Sequence, residues 1–64
     1  MNARQLLKEL RKEAKIDAFP KKGTGHWVLV NRENGMISEL PMHGGGKQLG
    51  KGLINLIRKQ LGLK

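Results

Sequence analysis

The sequence contains no cysteine, which removes disulfides, thiolate zinc sites and a cysteine nucleophile together. Aromatic residues are almost absent, with one Trp, one Phe and no Tyr, so a core must be built mainly from Leu, Ile, Val and Met. No run approaches the roughly 18 consecutive apolar residues of a membrane span, and Arg4, Lys8 and Glu9 around Leu6 and Leu7 break up anything resembling a signal-peptide core. The expectation is a soluble, cytoplasmic chain. Acidic residues are scarce as well: 5 Asp and Glu stand against 13 Lys and Arg, a net charge of +8 over 64 residues. That excess calls for a polyanionic partner, whether nucleic acid, an anionic membrane surface or an acidic protein. A chain of this size buries only about 60% of its unfolded surface, which leaves room for a single domain over 1–64.

The hydrophobic pattern changes period along the chain. Leu6, Leu7, Leu10 and Ala14 recur at helical intervals, and Asn2 with Gln5 three residues later has capping-box spacing, so a helix is predicted over about 3–14. Its charged residues, Arg4, Lys8, Glu9, Arg11, Lys12 and Glu13, read as a solvated outer face with Glu9–Lys12 as a favourable pair. Near the other end, Leu49, Leu53, Leu56, Ile57 and Leu61 predict a second helix over about 48–61, closed by Gly62 and Leu63. Gly50 and Gly52 would each cost this helix about 1 kcal/mol, which suggests close approach of another group to its first turn.

Between the helices, 16–19, 26–31 and 36–40 are short segments rich in Val, Ile, Trp and Phe. Asn34-Gly35 between the last two is a strong hairpin signal. The predicted class is α+β, in the order helix, three antiparallel strands, helix, with both helices on one sheet face and the other face open. Strand alternation places Trp27 and Leu29 in the covered core and His26 on the open side.

Few residues can carry chemistry. His26 enters its strand after Gly23-Thr24-Gly25, near Lys21 and Lys22, where an imidazole can exchange protons at neutral pH. His43, in Pro41-Met42-His43-Gly44, is a second candidate for proton transfer or RNA contact. Gly44-Gly45-Gly46-Lys47 could offer backbone N–H groups to a phosphate, although Gln48 breaks the Walker pattern. The carboxylates Glu9, Glu13, Asp17, Glu33 and Glu39 show no paired spacing beside a histidine, and no residue set has metal-ligand spacing, so neither a metal nor a cofactor is expected.

Three motifs together, Gly23-Thr24-Gly25-His26, Leu40-Pro41-Met42-His43 and the terminal Leu56-Ile57-Arg58-Lys59-Gln60-Leu61-Gly62-Leu63, resemble the HicA (YcfA-like) mRNA interferase toxins of toxin–antitoxin pairs. The resemblance implies a fold like that of double-stranded-RNA-binding domains and an endoribonuclease that cleaves mRNA. It implies His26 as the catalytic residue, with Thr24 at the family's common serine position and His43 matching a second histidine. Met42 stands where the family has arginine, leaving a phosphate contact for Lys22 or Lys47. It also implies a HicB-like antitoxin as partner, alongside RNA. Lys21, Lys22, Lys47 and Lys51 are the expected RNA-backbone contacts. The alternative reading is a non-catalytic RNA-binding module of the same fold, which needs the lysines but not the histidine.

Overall fold

The computed structural model describes residues 1–23, 25–42 and 48–63. Helix α1 (Ala3–Glu13) is followed by strands β1 (Ile16–Pro20), β2 (His26–Asn31) and β3 (Ile37–Pro41) and by helix α2 (Lys51–Gln60). The strands form one antiparallel sheet in the order β1-β2-β3. The predicted α+β class and element order are therefore present.

Helix α1 starts where its capping box dictates. The Asn2 side chain accepts from the Gln5 backbone N–H, and the Gln5 side chain accepts from the Asn2 backbone, each at 2.9 Å. Helix α2 begins three residues later than predicted. Gln48 instead bridges antiparallel to Asn2, and the Leu49 N–H donates to the Met1 carbonyl at 2.8 Å, so these residues are held by the start of the chain rather than by the helix. Gly50 is then the N-cap and only Gly52 lies inside. Among the described residues, a side chain at either glycine would meet nothing within 4 Å, so no described part of the chain makes the close approach. The end of α2 fits its prediction. Gly62 has φ +76°, its N–H donates to Lys59 and the Leu63 N–H to Arg58, the paired bonds of a Schellman cap.

The hairpin expected at Asn34-Gly35 forms, but as a four-residue connection over 32–35. Asn31 and Met36 close it, and only Gly35 takes positive φ, so it is not the two-residue turn with both centres left-handed. Its register pairs Val28 with Glu39 and Leu29 with Ser38. One parity of the sheet is sealed. Ile16, Leu29 and Leu40 join Leu6 and Leu10 of α1 and Ile57 and Leu61 beside α2 in a single aliphatic core. Two buried polar residues lock this core to the helix end. The Asn31 side chain donates to the Leu61 carbonyl at 2.8 Å and accepts from the Glu33 N–H, while the Ser38 hydroxyl donates to Gln60 at 2.7 Å.

Trp27 departs from its expected role. It shares the parity of Leu29 and faces Leu40, but it is half-buried and lies outside the core cluster. It pairs with Pro20 at the last step of the β1–β2 ladder, one turn of the pleat beyond the aliphatic centre, so its area is only partly covered.

Candidate active site

The opposite parity of the sheet carries the candidate chemistry. His26, Val28 and Val30 of β2 alternate with the buried set and lie beside Asp17 and Phe19 of β1 and Ile37 and Glu39 of β3. Phe19 and Ile37 keep 53% and 59% of their surface exposed, so this side is accessible to a large ligand.

His26 is the first residue of β2, and its side chain is 38% exposed. The register places Glu39 opposite Val28, two residues along the same face from His26, and the imidazole Nδ1 lies 3.4 Å from Glu39 Oε1. Lys21 Nζ reaches the same oxygen at 3.4 Å, while its backbone N–H donates to the His26 carbonyl at 2.8 Å. Three elements thus converge: β3 supplies the carboxylate, β2 the imidazole, and the segment after β1 the ammonium. The Glu39 carboxyl is held below its ordinary value, first by its hydrogen bond to His26 and then by the Lys21 charge.

This arrangement corrects the expectation that no carboxylate accompanies a histidine. Glu39 and His26 are 13 residues apart, so no sequence spacing signals the pair; it follows from the hairpin register. With residue 31 opposite 36, counting outward sets 28 against 39, and Glu39 then falls diagonally beside His26.

Of the other expected site residues, Lys22 is exposed in the turn that follows Lys21, and Lys51 is the exposed first residue of α2. Thr24, His43 and Lys47 lie outside the described residues. Met42 packs against the core, and its N–H donates to the Gly25 carbonyl at 3.0 Å, which fastens the end of β3 to the approach to His26. A groove of about 580 Å³ between β3 and α2, lined by Met36, Ile37, Leu53, Leu56 and Gln60 among others, shares Glu39 with the histidine cluster. Among the described residues no three His, Cys, Asp or Glu side chains come together as a metal site.

Compared with known proteins, the chain matches no protein-family model, no curated protein and no solved structure. An imidazole whose Nδ1–H points at a carboxylate carries its lone pair on Nε2, the arrangement of a general base held by an acid partner. The neighbouring ammonium supplies positive charge within reach of an anionic substrate.

Among the described residues no helix is long and apolar enough to cross a membrane.

Proposed function

We propose that this protein is a metal-independent endoribonuclease of the HicA type, the toxin of a toxin–antitoxin pair, with His26 as the catalytic residue. The observation that carries the reading is the His26–Glu39–Lys21 cluster on the accessible sheet face of a strongly basic chain. In this mechanism Glu39 holds the imidazole by Nδ1. Nε2 takes the proton of a ribose 2′-hydroxyl, and that oxygen attacks the adjacent phosphorus, forming a 2′,3′-cyclic phosphate and expelling the 5′-oxygen of the next nucleotide, which takes a proton from water while the imidazolium returns its own to solvent. Lys21 and Lys22 stabilise charge building on the phosphoryl oxygens. Deoxyribose lacks the nucleophile, so DNA is not a substrate.

The fold belongs to the same reading: both helices cover one sheet face, as in double-stranded-RNA-binding domains, leaving His26 on the other. Lys51, opening α2 where no side chain caps the helix, and Lys47 before it hold RNA phosphates. A HicB-like antitoxin, acidic and complementary to the +8 charge, covers His26 and silences the enzyme. His43 and Thr24 complete the reading as candidates for proton transfer or RNA contact.

The deciding experiment is cleavage of cellular mRNA by purified wild-type and His26→Ala protein, with binding of the same RNA measured in parallel. Cutting by the wild type alone, with binding kept by both, supports the reading. Binding without cutting by the wild type selects the non-catalytic RNA-binding module.

A further inference from the structure

The charges of α1 are sorted into two separate strips. Each residue advances about 100° around a helix, which places Arg4, Lys8, Arg11 and Lys12 within one arc about 100° wide, roughly opposite the buried Ala3, Leu6 and Leu10. Glu9 and Glu13 fall on the flank between that arc and the core. The acids turn toward α2: Glu13 holds the Arg58 guanidinium with two hydrogen bonds of 3.1 and 2.8 Å, and Glu9 adds its field, both raising the Arg58 pKa. The expected Glu9–Lys12 ion pair is absent. No ion pair among the described residues engages Arg4, Lys8, Arg11 or Lys12, all of which are exposed.

Sorting of this kind has a physical consequence. In an ordinary solvated helix face the signs alternate and the field cancels within a few ångströms. Here Glu13 is drawn into a contact with α2 and Glu9 lies on the same flank, and about 10 Å of helix axis presents positive charge alone. Arg4 to Lys8 is a rise of about 6 Å and Lys8 to Arg11 about 4.5 Å, a spacing suited to a run of regularly repeated negative charges.

We infer that the outer face of α1, through Arg4, Lys8 and Arg11, is a docking track for the phosphodiester backbone of RNA. The inference rests on RNA being the substrate and adds a surface to it. An acidic protein would need carboxylates at matched positions, whereas a polynucleotide offers a charge at every step, so the regular strip favours the latter. The track reads charge and not sequence, and it supplies affinity while the sheet face supplies chemistry.

The test uses a fluorescent, 2′-O-methylated single-stranded RNA of about 20 nucleotides, which cannot be cleaved by its own 2′-oxygen, with binding followed by anisotropy over a range of salt. A variant carrying Arg4→Gln, Lys8→Gln and Arg11→Gln should bind at least tenfold more weakly. Its salt slope should fall by about 2, three phosphates at about 0.7 each. Gln is a good helix former, so the fold should survive, and circular dichroism with a urea midpoint checks this. A matched variant with Lys15→Gln, Arg32→Gln and Lys59→Gln loses the same three charges and should weaken binding threefold at most. Equal losses in the two variants would mean diffuse attraction and overturn the track. Wild-type affinity and slope in the α1 variant would overturn it while leaving RNA binding intact. If the wild type does not bind this RNA, the RNA reading falls and the track with it. Binding instead to vesicles of about 30% phosphatidylserine, lost in the α1 variant, would make the face a lipid contact.

Discussion

The two sides of β2 are made from alternating residues of one six-residue strand, yet they are built for different purposes. Leu29 and Asn31 are sealed, each with every polar or apolar requirement met by α1, α2 or the hairpin. His26, Val28 and Val30, one residue out of phase, are half-exposed, and the carboxylate that His26 meets, Glu39, is itself at the surface. The difference teaches that substitutions on the two parities should fail in different ways: one through loss of the fold, the other through loss of chemistry in a fold that persists.

The largest expected effect is on the sealed side. Leu29→Ala removes most of a fully buried side chain from an aliphatic cluster that has no aromatic member to close over the space, and should cost about 2–5 kcal/mol. In a domain this small that is a large part of the total stability, so urea or thermal unfolding followed by circular dichroism should show a protein partly or wholly unfolded at room temperature. A shift below about 1 kcal/mol would mean that the core repacks easily and that the contrast between the two sides is weaker than drawn.

Next comes His26→Ala, on the open side. Loss of a general base should reduce RNA cleavage by about 10²- to 10⁴-fold while the unfolding midpoint moves little, because the ring covers no core residue. The same cleavage should persist in excess EDTA, since no step of the proposed mechanism uses a metal. Cleavage at the wild-type rate by the variant, or its loss with EDTA in the wild type, would remove the catalytic assignment.

Asn31→Ala sharpens the comparison from within the sealed parity. Its side chain is the polar pin between the hairpin and the end of α2, and removing it takes the Asn31 acceptor from the Glu33 N–H and leaves the Leu61 carbonyl, among the described residues, with the 3.1 Å side-chain bond from Asn34. A loss of about 1–3 kcal/mol is expected, read as an earlier urea midpoint with unchanged slope. Asn31→Asp keeps the acceptor for Glu33 but sets a buried carboxylate against the Leu61 carbonyl, and at neutral pH should cost more than Ala.

How much of this was legible in the sequence depends on the range of the interaction. The start of α1 was legible because Asn2 and Gln5 are three residues apart and satisfy each other locally; the Schellman end of α2 was legible for the same reason at Gly62 and Leu63. The start of α2 was not, because Gln48 and Leu49 are recruited by Met1 and Asn2 from the far end of the chain. Trp27 illustrates a different gap: alternation gave its side of the sheet, whereas its depth depends on how far the helices reach along the ladder. In the candidate site, His26 was visible through its Gly-rich approach. Glu39 was not, since only the pairing of β2 with β3 brings it to the imidazole. The sorting of charge on α1 was likewise hidden, because Glu13 chooses between nearby lysines and Arg58, 45 residues away, and the fold decides for Arg58.

The smallest effect expected on the open side belongs to Glu39, and its pH dependence gives the sign. The folded Glu39 carboxyl titrates below its ordinary 4.5, because the ionised form accepts from His26 and sits beside Lys21. A depressed carboxylate stabilises the fold above its unfolded value, and that contribution is lost as the pH falls through the folded value. The contact should therefore be intact at neutrality and at pH 5, and disappear only on the acid side of about 4.5. Because the carboxylate lies at the surface, where solvent screens its contacts, the accompanying stability change should be slight. Glu39→Gln removes the titrating group while keeping a polar side chain of the same shape. It should leave neutral-pH stability within the scatter of measurement, erase the wild type's extra decline below pH 4.5, and slow RNA cleavage about tenfold by releasing the His26 ring from a single tautomer. Nitrogen-15 NMR of the imidazole reads that last point without any substrate: the wild type should show the proton mainly on Nδ1 and the variant a mixture of both tautomers. An unchanged tautomer in Glu39→Gln, whatever its activity, would show that the carboxylate is only a neighbour of the ring and does not orient it.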